Sequence, residues 1–273
     1  MRPHYGITTV EDKLYVMGNG PDGIRRTKVY DDGIDFRFIK DIVMNNTTWP
    51  FDIVYSHKSK CIYISDREER GIWMMTTTDE PQTTKWLPDV HQPFTLSLSN
   101  EGHLLVLRQG QSPSPDCLEI YSLNATLIRK LDLTPDVKYA QHVVQTSTGN
   151  FIISHRLNNA EDGQWTISEF TNDGQLSNRV IARNKSEELN SPKHLSLDSD
   201  NNRLYVADTD NHRVILFDSN DLTWIKVLLS REMNGILNPF RLLYDSCKKR
   251  LFVAEHHSNV TVHEISWIPA LQP

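Results

Sequence analysis

The segment from Asn190 to Asn220, NSPKHLSLDSDNNRLYVADTDNHRVILFDSN, recurs in degraded form along the whole chain. A unit repeated at a fixed period dictates the architecture first, because each copy must bury its apolar faces against other copies. The unit from Asn238 to Ile265 restates it, with Pro239 for Pro192, Leu251-Phe252-Val253-Ala254 for Leu204-Tyr205-Val206-Ala207, and Glu255 for Asp208. Trp49-Pro50-Phe51-Asp52-Ile53, followed by Cys61-Ile62-Tyr63-Ile64-Ser65-Asp66, is the same pattern again. Anchored on the proline, the units start at Pro3, Pro50, Pro93, Ala140 (where the proline is lost), Pro192 and Pro239, at spacings of 47, 43, 47, 52 and 47 residues.

Each unit holds short runs rich in Val, Ile, Leu, Tyr and Phe, divided by turns such as Asn100-Glu101-Gly102 and Thr148-Gly149-Asn150. Such runs read as strands of a small antiparallel sheet. Periods of roughly 40 to 50 residues with several strands per unit belong to propellers, whose sheets pack face to face around a central channel. The expectation is an all-β chain, a six-bladed β-propeller of four-stranded antiparallel blades occupying residues 1–273 as a single domain. Units one to five each have a fourth apolar run, for example Trp224-Ile225-Lys226-Val227-Leu228-Leu229. The sixth has none, so either Ser266-Trp267-Ile268 forms a stunted outer strand, or an upstream segment of a longer parent closes the ring.

The stretch Ala207-Asp208-Thr209-Asp210-Asn211-His212-Arg213-Val214 resembles the NHL repeat, whose typical unit runs from a proline through a Val-Ala-Asp strand end to Asn-His-Arg-Val. Only the fifth unit carries the full motif, and units one, three and four place Gly18, Arg108 and His155 where the acid stands. The resemblance implies a six-bladed propeller, in many animal proteins the last domain of a tripartite-motif ubiquitin ligase. This chain has no paired Cys-x-x-Cys and so no RING zinc site of its own.

The formal charge of −6 argues against a generic nucleic-acid surface and against DNA, since non-specific affinity comes mostly from Lys and Arg. Cys61, Cys117 and Cys247 are odd in number and read as buried or partly buried free thiols in a reducing, cytoplasmic setting. No apolar run is long enough to span a bilayer, and no membrane partner is expected. Sequons begin at Asn45, Asn46, Asn124, Asn184 and Asn259, without a secretory signal to make use of them.

Aligning the units puts Phe51, Phe94, Gln141, Lys193 and Phe240 directly after the anchor, followed by Asp52, Thr95, His142, His194 and Arg241. The first strand of each propeller blade lines the channel, so these residues should gather near one mouth as an amphipathic rim. Phe51, Phe94 and Phe240 offer apolar area, while Arg241, Lys193, His142 and His194 offer directional donors. Arg108 opens a long insertion through Asp116, and His155 opens another through Gly163, so two loops should wall one face together with Asn19–Gly23.

Asp208, Asn211 and Arg213 read as a turn clasp, and Glu255-His256-His257 as an exposed hairpin turn. No Gly-x-Ser-x-Gly elbow or orienting acid supports a hydrolase. His142 and His194 suggest a metal site, which His4 joins if the first blade aligns without a gap, but no supporting ligands are identifiable, so neither a metal nor another cofactor is expected. In the amidating lyases a zinc histidine lies in a Pro-His-Ser-Leu context; Pro192-Lys193-His194-Leu195 displaces it by one position, onto the opposite strand face. The leading expectation is a non-catalytic module that binds a protein or peptide at this rim. Single-stranded RNA, recognised by stacking plus cationic contacts, is the alternative ligand, and a lyase- or lactonase-like enzyme ranks third.

Overall fold

The computed structural model describes residues 4–19, 25–33, 36–44, 47–110, 114–157, 163–256 and 260–265. These form six antiparallel sheets, each a meander in which consecutive strands pair. The innermost strands are His4–Val10, Pro50–Ser56, Pro93–Leu98, Val137–Gln145, Pro192–Asp198 and Pro239–Asp245. Each packs beside the innermost strand of the next blade, and the first meets the sixth, so the ring is closed. Five sheets have four strands; the sixth has three among the described residues, Pro239–Asp245, Arg250–Glu255 and Val260–Glu264. Ser266-Trp267-Ile268, offered above as its outer strand, lies outside the described residues.

The second strands explain why the ring forms. Leu104–Arg108 and Cys61–Asp66 are apolar almost without alternation, and nearly every residue in them is buried. A strand covered on both faces loses the in–out pattern of a half-solvated sheet. Six apolar clusters accordingly sit between the blades. One joins Tyr15, Met17 and Val29 of blade one to Ile53, Ile62 and Trp73 of blade two. Another joins Val144 and Ile167 of blade four to Leu195 and Val206 of blade five.

The cluster that shuts the ring, between blades six and one, is small: Ile7, Leu14 and Val16 against Phe252 and Ala254. Charge supplements it. Lys248 Nζ donates to Asp32 Oδ2 at 2.9 Å and to Asp12 Oδ1 at 3.1 Å, and Arg250 Nη1 lies 3.8 Å from Asp32 Oδ1. Among the described residues blade one is built from residues 4–43, and these side-chain contacts join it to blade six.

Two features of the inner strands set up the site. Side chains on them bridge neighbouring blades: Tyr55 N donates to Thr8 Oγ1 at 3.2 Å, Thr95 Oγ1 to the Gln141 carbonyl at 2.8 Å, and Tyr244 N to Ser196 Oγ at 2.9 Å. Gly6 permits the tightest approach, since a Cβ there would stand 2.8 Å from Ile53 N. The second feature is a bulge at the start of each inner strand. Pro50 pairs with Asp66 and Asp52 with Ser65, leaving Phe51 as the extra residue. Phe94, Lys193 and Phe240 are the extra residues at the same point of blades three, five and six. In blade four three residues, Tyr139, Ala140 and Gln141, intervene between the paired Lys138 and His142.

The aspartate at the end of the second strand fastens the hairpin in blades two and five. Asp208 Oδ1 accepts from Asn190 N at 2.7 Å, and its Oδ2 accepts from Asn211 Nδ2 at 2.9 Å and Arg213 Nε at 2.6 Å. Asp66 likewise accepts from the backbone of Thr48, Trp49, Glu68 and Glu69. Asp208 is fully buried, so Asp208→Ala leaves buried donors unpaired and is expected to cost about 2–4 kcal/mol. Urea unfolding followed by tryptophan fluorescence measures this; a cost below about 0.5 kcal/mol, the size of an ordinary surface change, would mean the clasp holds nothing.

Candidate functional site

The bulges of blades two, three, five and six each aim one residue at the channel mouth, as an unpaired residue bends its strand and re-aims its side chain. Phe51, Phe94, Lys193 and Phe240 all line one pocket of about 510 Å3 there, together with Gln141 and Tyr139 from the irregular start of blade four. Tyr139 adopts φ of 51°, the left-handed region, at a cost of roughly 1 kcal/mol for a residue with a Cβ. It stands 57% exposed.

A second set of residues completes the wall. Arg67, Gln109, Arg156 and His256 each immediately follow the position of the clasp acid, in blades two, three, four and six. The repeat alignment already held that signal, one residue beyond the point where it was applied. Trp165, opening the third strand of blade four, has no equivalent in the other units. Gln109 and Arg156 lie at the roots of the two insertions, while 111–113 and 158–162 of those loops, and 20–23 in the first blade, lie outside the described residues.

Directly below the rim, the next residue of each inner strand points inward and is buried: Asp52, Thr95, His142, His194 and Arg241. His142, His194 and Arg241, read from the chain as rim donors, thus form the floor and plug of the channel. Arg241 is 1% exposed and reaches across from blade six to blade two. Its Nε lies 3.3 Å from Asp52 Oδ1, Nη2 donates to the Phe51 carbonyl at 3.1 Å and Nη1 to the Phe240 carbonyl at 3.1 Å. Its guanidinium also covers the rings of Phe51 and Phe240, at 5.0 and 4.3 Å from their centroids.

Arg108 is placed elsewhere. It pairs with Glu119 and donates to the His91 carbonyl at 2.6 Å, outside the pocket lining. The side chain of His4 lies outside the described residues, as does His257. His256 is not the solvated turn residue expected; it packs edge-on against Phe240 at 5.0 Å. Cys61 and Cys117 are buried free thiols, whereas Cys247, expected to be at least partly buried, is exposed.

Burial governs the electrostatics of the plug. It pushes the Asp52 carboxyl up to about 6, against the opposing pull of Arg241 and of N–H bonds from Leu96 and Ile53. It lowers His142 to about 3, with the Arg241 charge adding to the effect, and drives His194 down for the same reason. The two imidazoles stack at 3.7 Å, 33° from parallel. They are therefore neutral at pH 7 and compatible with the adjacent guanidinium.

Asp52, His142 and His194 bring ligand atoms within 4.8 Å of one another, a geometry suited to a transition metal. A cation already occupies the electrostatic role, however: Arg241 faces Asp52, whose oxygens also accept from Ile53 N and Leu96 N at 3.0 Å each. A dication beside a fixed guanidinium pays repulsion in a low-dielectric site. The cluster fits an internal ion pair. Arg241→Met is therefore expected to raise zinc affinity at least tenfold over the unaltered chain in calorimetric titration; equal affinities would show that Arg241 is not what keeps metal out.

The mouth itself is aromatic and basic. Phe51 and Phe94 stack at 4.3 Å and 25°, and Arg67 lies over both rings at 5.5 and 5.0 Å. Lys193 Nζ donates to Gln141 Oε1 at 3.2 Å and sits 5.4 Å from the Trp165 ring centroid. No Ser, Thr, Cys, Asp or Glu among the described residues lines the pocket, so these supply neither a serine, threonine or cysteine nucleophile nor a carboxylate base.

The fold and this site define a six-bladed β-propeller with a basic, aromatic channel mouth. Residues 189–217, in the fifth blade, match the model of the NHL repeat. None of the curated proteins matches the chain in sequence. Among solved structures it is similar to hydrazine synthase of Kuenenia stuttgartiensis, at 15% identity and TM-score 0.67 over 97% of this chain and 96% of that one. It is similar to virginiamycin B lyase from Staphylococcus aureus, at 11% identity and TM-score 0.61 over 98% of this chain and 86% of the other. A chain of the nidogen/laminin complex matches at 17% identity and TM-score 0.68, covering 92% and 88%. Proteins named as a synthase and a lyase share the architecture with a chain of the nidogen/laminin complex, so these likenesses establish the fold alone. No helix among the described residues is long and apolar enough to cross a membrane.

His155, read as a candidate without an orienting acid, is buried with its Nε2 2.8 Å from Ser168 Oγ, and burial lowers it to about 4. A histidine depressed in the folded state contributes stability above its ordinary value of 6.5 and loses it as pH falls toward the folded value. Asp52, raised to about 6, acts oppositely and recovers stability over part of the same range. His142 and His155 each lose about 2 kcal/mol between pH 7 and 5 and Asp52 returns about 1, a net loss of at least about 2 kcal/mol, to which His194, lowered likewise, adds in the same direction. Urea unfolding at the two pH values measures it, and His155→Gln is expected to shrink the difference; equal stability at both pH values would contradict the neutral plug.

Proposed function

We propose that this propeller is a non-catalytic recognition module that binds a protein segment, in extended peptide form, at the channel mouth. The observation that carries the reading is the lining: aromatic rings (Phe51, Phe94, Tyr139, Trp165, Phe240) and arginines (Arg67, Arg156, Arg241). Aromatic residues and Arg concentrate at the energetic centres of protein interfaces, where rings bury large areas at low entropy cost. The pocket volume of about 510 Å3 suits one or two anchoring side chains.

Single-stranded RNA is the competing ligand, favoured by Lys193 over the Trp165 ring. Base stacking needs free ring faces. Phe51 is already covered by Phe94, Arg67 and Arg241, and Phe94 and Phe240 are only 6% and 8% exposed. That occupancy favours the peptide. In a parent of the tripartite-motif kind, such a module would choose the protein that the ligase modifies. Free thiols at Cys61, Cys117 and Cys247 support a reducing cytoplasmic setting.

Selection of a phage-displayed random 12-residue peptide library on the purified chain tests the reading, with labelled oligouridine titrated in parallel at near-physiological salt. Enriched peptides are expected to bind wild type at micromolar affinity and to lose about tenfold or more with Tyr139→Ala or Trp165→Ala, as truncated hot-spot aromatics do. Failure to enrich any peptide, with tight oligouridine binding, would overturn it.

A further inference from the structure

Several cations elsewhere on this molecule are matched to carboxylates: Arg213 pairs with Asp208, Arg108 with Glu119, Lys248 with Asp32 and Arg183 with Glu187. At the channel mouth of this chain of formal charge −6, no acidic side chain among the described residues lines the pocket.

Two cations there are held by neutral groups. Lys193 Nζ bonds to the Gln141 amide oxygen and faces the Trp165 ring. Arg67 lies on the stacked Phe51 and Phe94 rings and forms no ion pair among the described residues. Arg241 adds nothing to this surplus, since Asp52 already balances it from below. Both side chains are half-buried, and loss of water opposes their charged forms, lowering Lys193 and Arg67 from their ordinary values; Asp210 acts on Lys193 only through space. A half-buried cation without a counter-charge is an incomplete ion pair, and an anion entering from solvent completes it.

We infer that the group this pocket takes from its peptide partner is a carboxylate, carried by an acidic segment whose neighbouring apolar side chain rests on the aromatic wall, with Arg67 and Lys193 as its receptors. The inference rests on the recognition reading above. It adds a charge requirement that an aromatic groove alone would not impose. A local basic patch in a molecule of net negative charge steers acidic segments toward it.

The test uses the same 12-residue library and the full chain in wild-type, Arg67→Met and Lys193→Met forms. Both variants keep the alkyl bulk of half-exposed side chains, and thermal unfolding confirms that each stays folded. Asp or Glu is expected at a fixed place beside an apolar residue in the enriched peptides. Synthetic versions with that acid changed to its amide should bind about tenfold to a hundredfold more weakly, as should wild-type peptides on either variant. Affinity should also fall as salt rises. A peptide carrying phosphoserine in place of the acid, bound more tightly than the carboxylate form, would overturn the choice of carboxylate. Enrichment of neutral or basic peptides that need Tyr139 and Trp165 but not Arg67 or Lys193 would sink the anion inference and leave peptide recognition standing. Oligouridine binding without peptide binding would sink both.

Discussion

The charge pair Arg241–Asp52 sits where the six inner strands converge, and it ties together blades that are not neighbours. Blade one stands between them in the ring, with Gly6 allowing its inner strand close to Ile53. Alone in an apolar channel either charge would be expensive; together, with backbone carbonyls and amides as further partners, they close the floor. Much of the mouth hangs from this pair, because Arg241 also holds the carbonyls of Phe51 and Phe240 and lies on both rings. A stacked histidine pair lies beside it in the channel.

Above that floor, the site owes its composition to the bulges. In an unbroken strand, successive residues face opposite sides of the sheet. The extra residue at each inner-strand start is freed from the ladder, and it alone turns toward the mouth while its successor turns inward. Phe51 with Asp52, Phe240 with Arg241 and Lys193 with His194 are three instances of one arrangement. Blade four departs from it, with a three-residue interruption that lifts Tyr139 into solvent.

The proline anchors, apolar second strands and missing fourth run of the sixth unit made the ring and its weakest blade readable from the chain. So was the mouth set Phe51, Phe94, Lys193 and Phe240, since alignment of repeats converts directly into a circle of equivalent positions. Depth was not readable. His142, His194 and Arg241 looked like rim donors because a lone strand shows which residues alternate but not where its ladder slips, and the bulge decides which of two adjacent residues is buried. Arg108 was misplaced because its partner Glu119 lies on the third strand, beyond the insertion it opens. Arg67, Gln109, Arg156 and His256 share one repeat position, but it falls where the second strand enters its turn, and a turn does not show from sequence which way its side chains face; His256 accordingly read as exposed. Trp165 and Tyr139 had no repeat signal at all.

A residue bulged out of the ladder has no partner opposite it, so its size and charge are not constrained by strand pairing. Phe, Phe, Lys and Phe occupy this position in four blades whose second strands are otherwise alike in burial. Recognition and folding are thus written at different addresses in the same unit. Over evolutionary time the mouth of such a ring can change specificity one blade at a time, while the apolar strands that hold the blades together stay as they are.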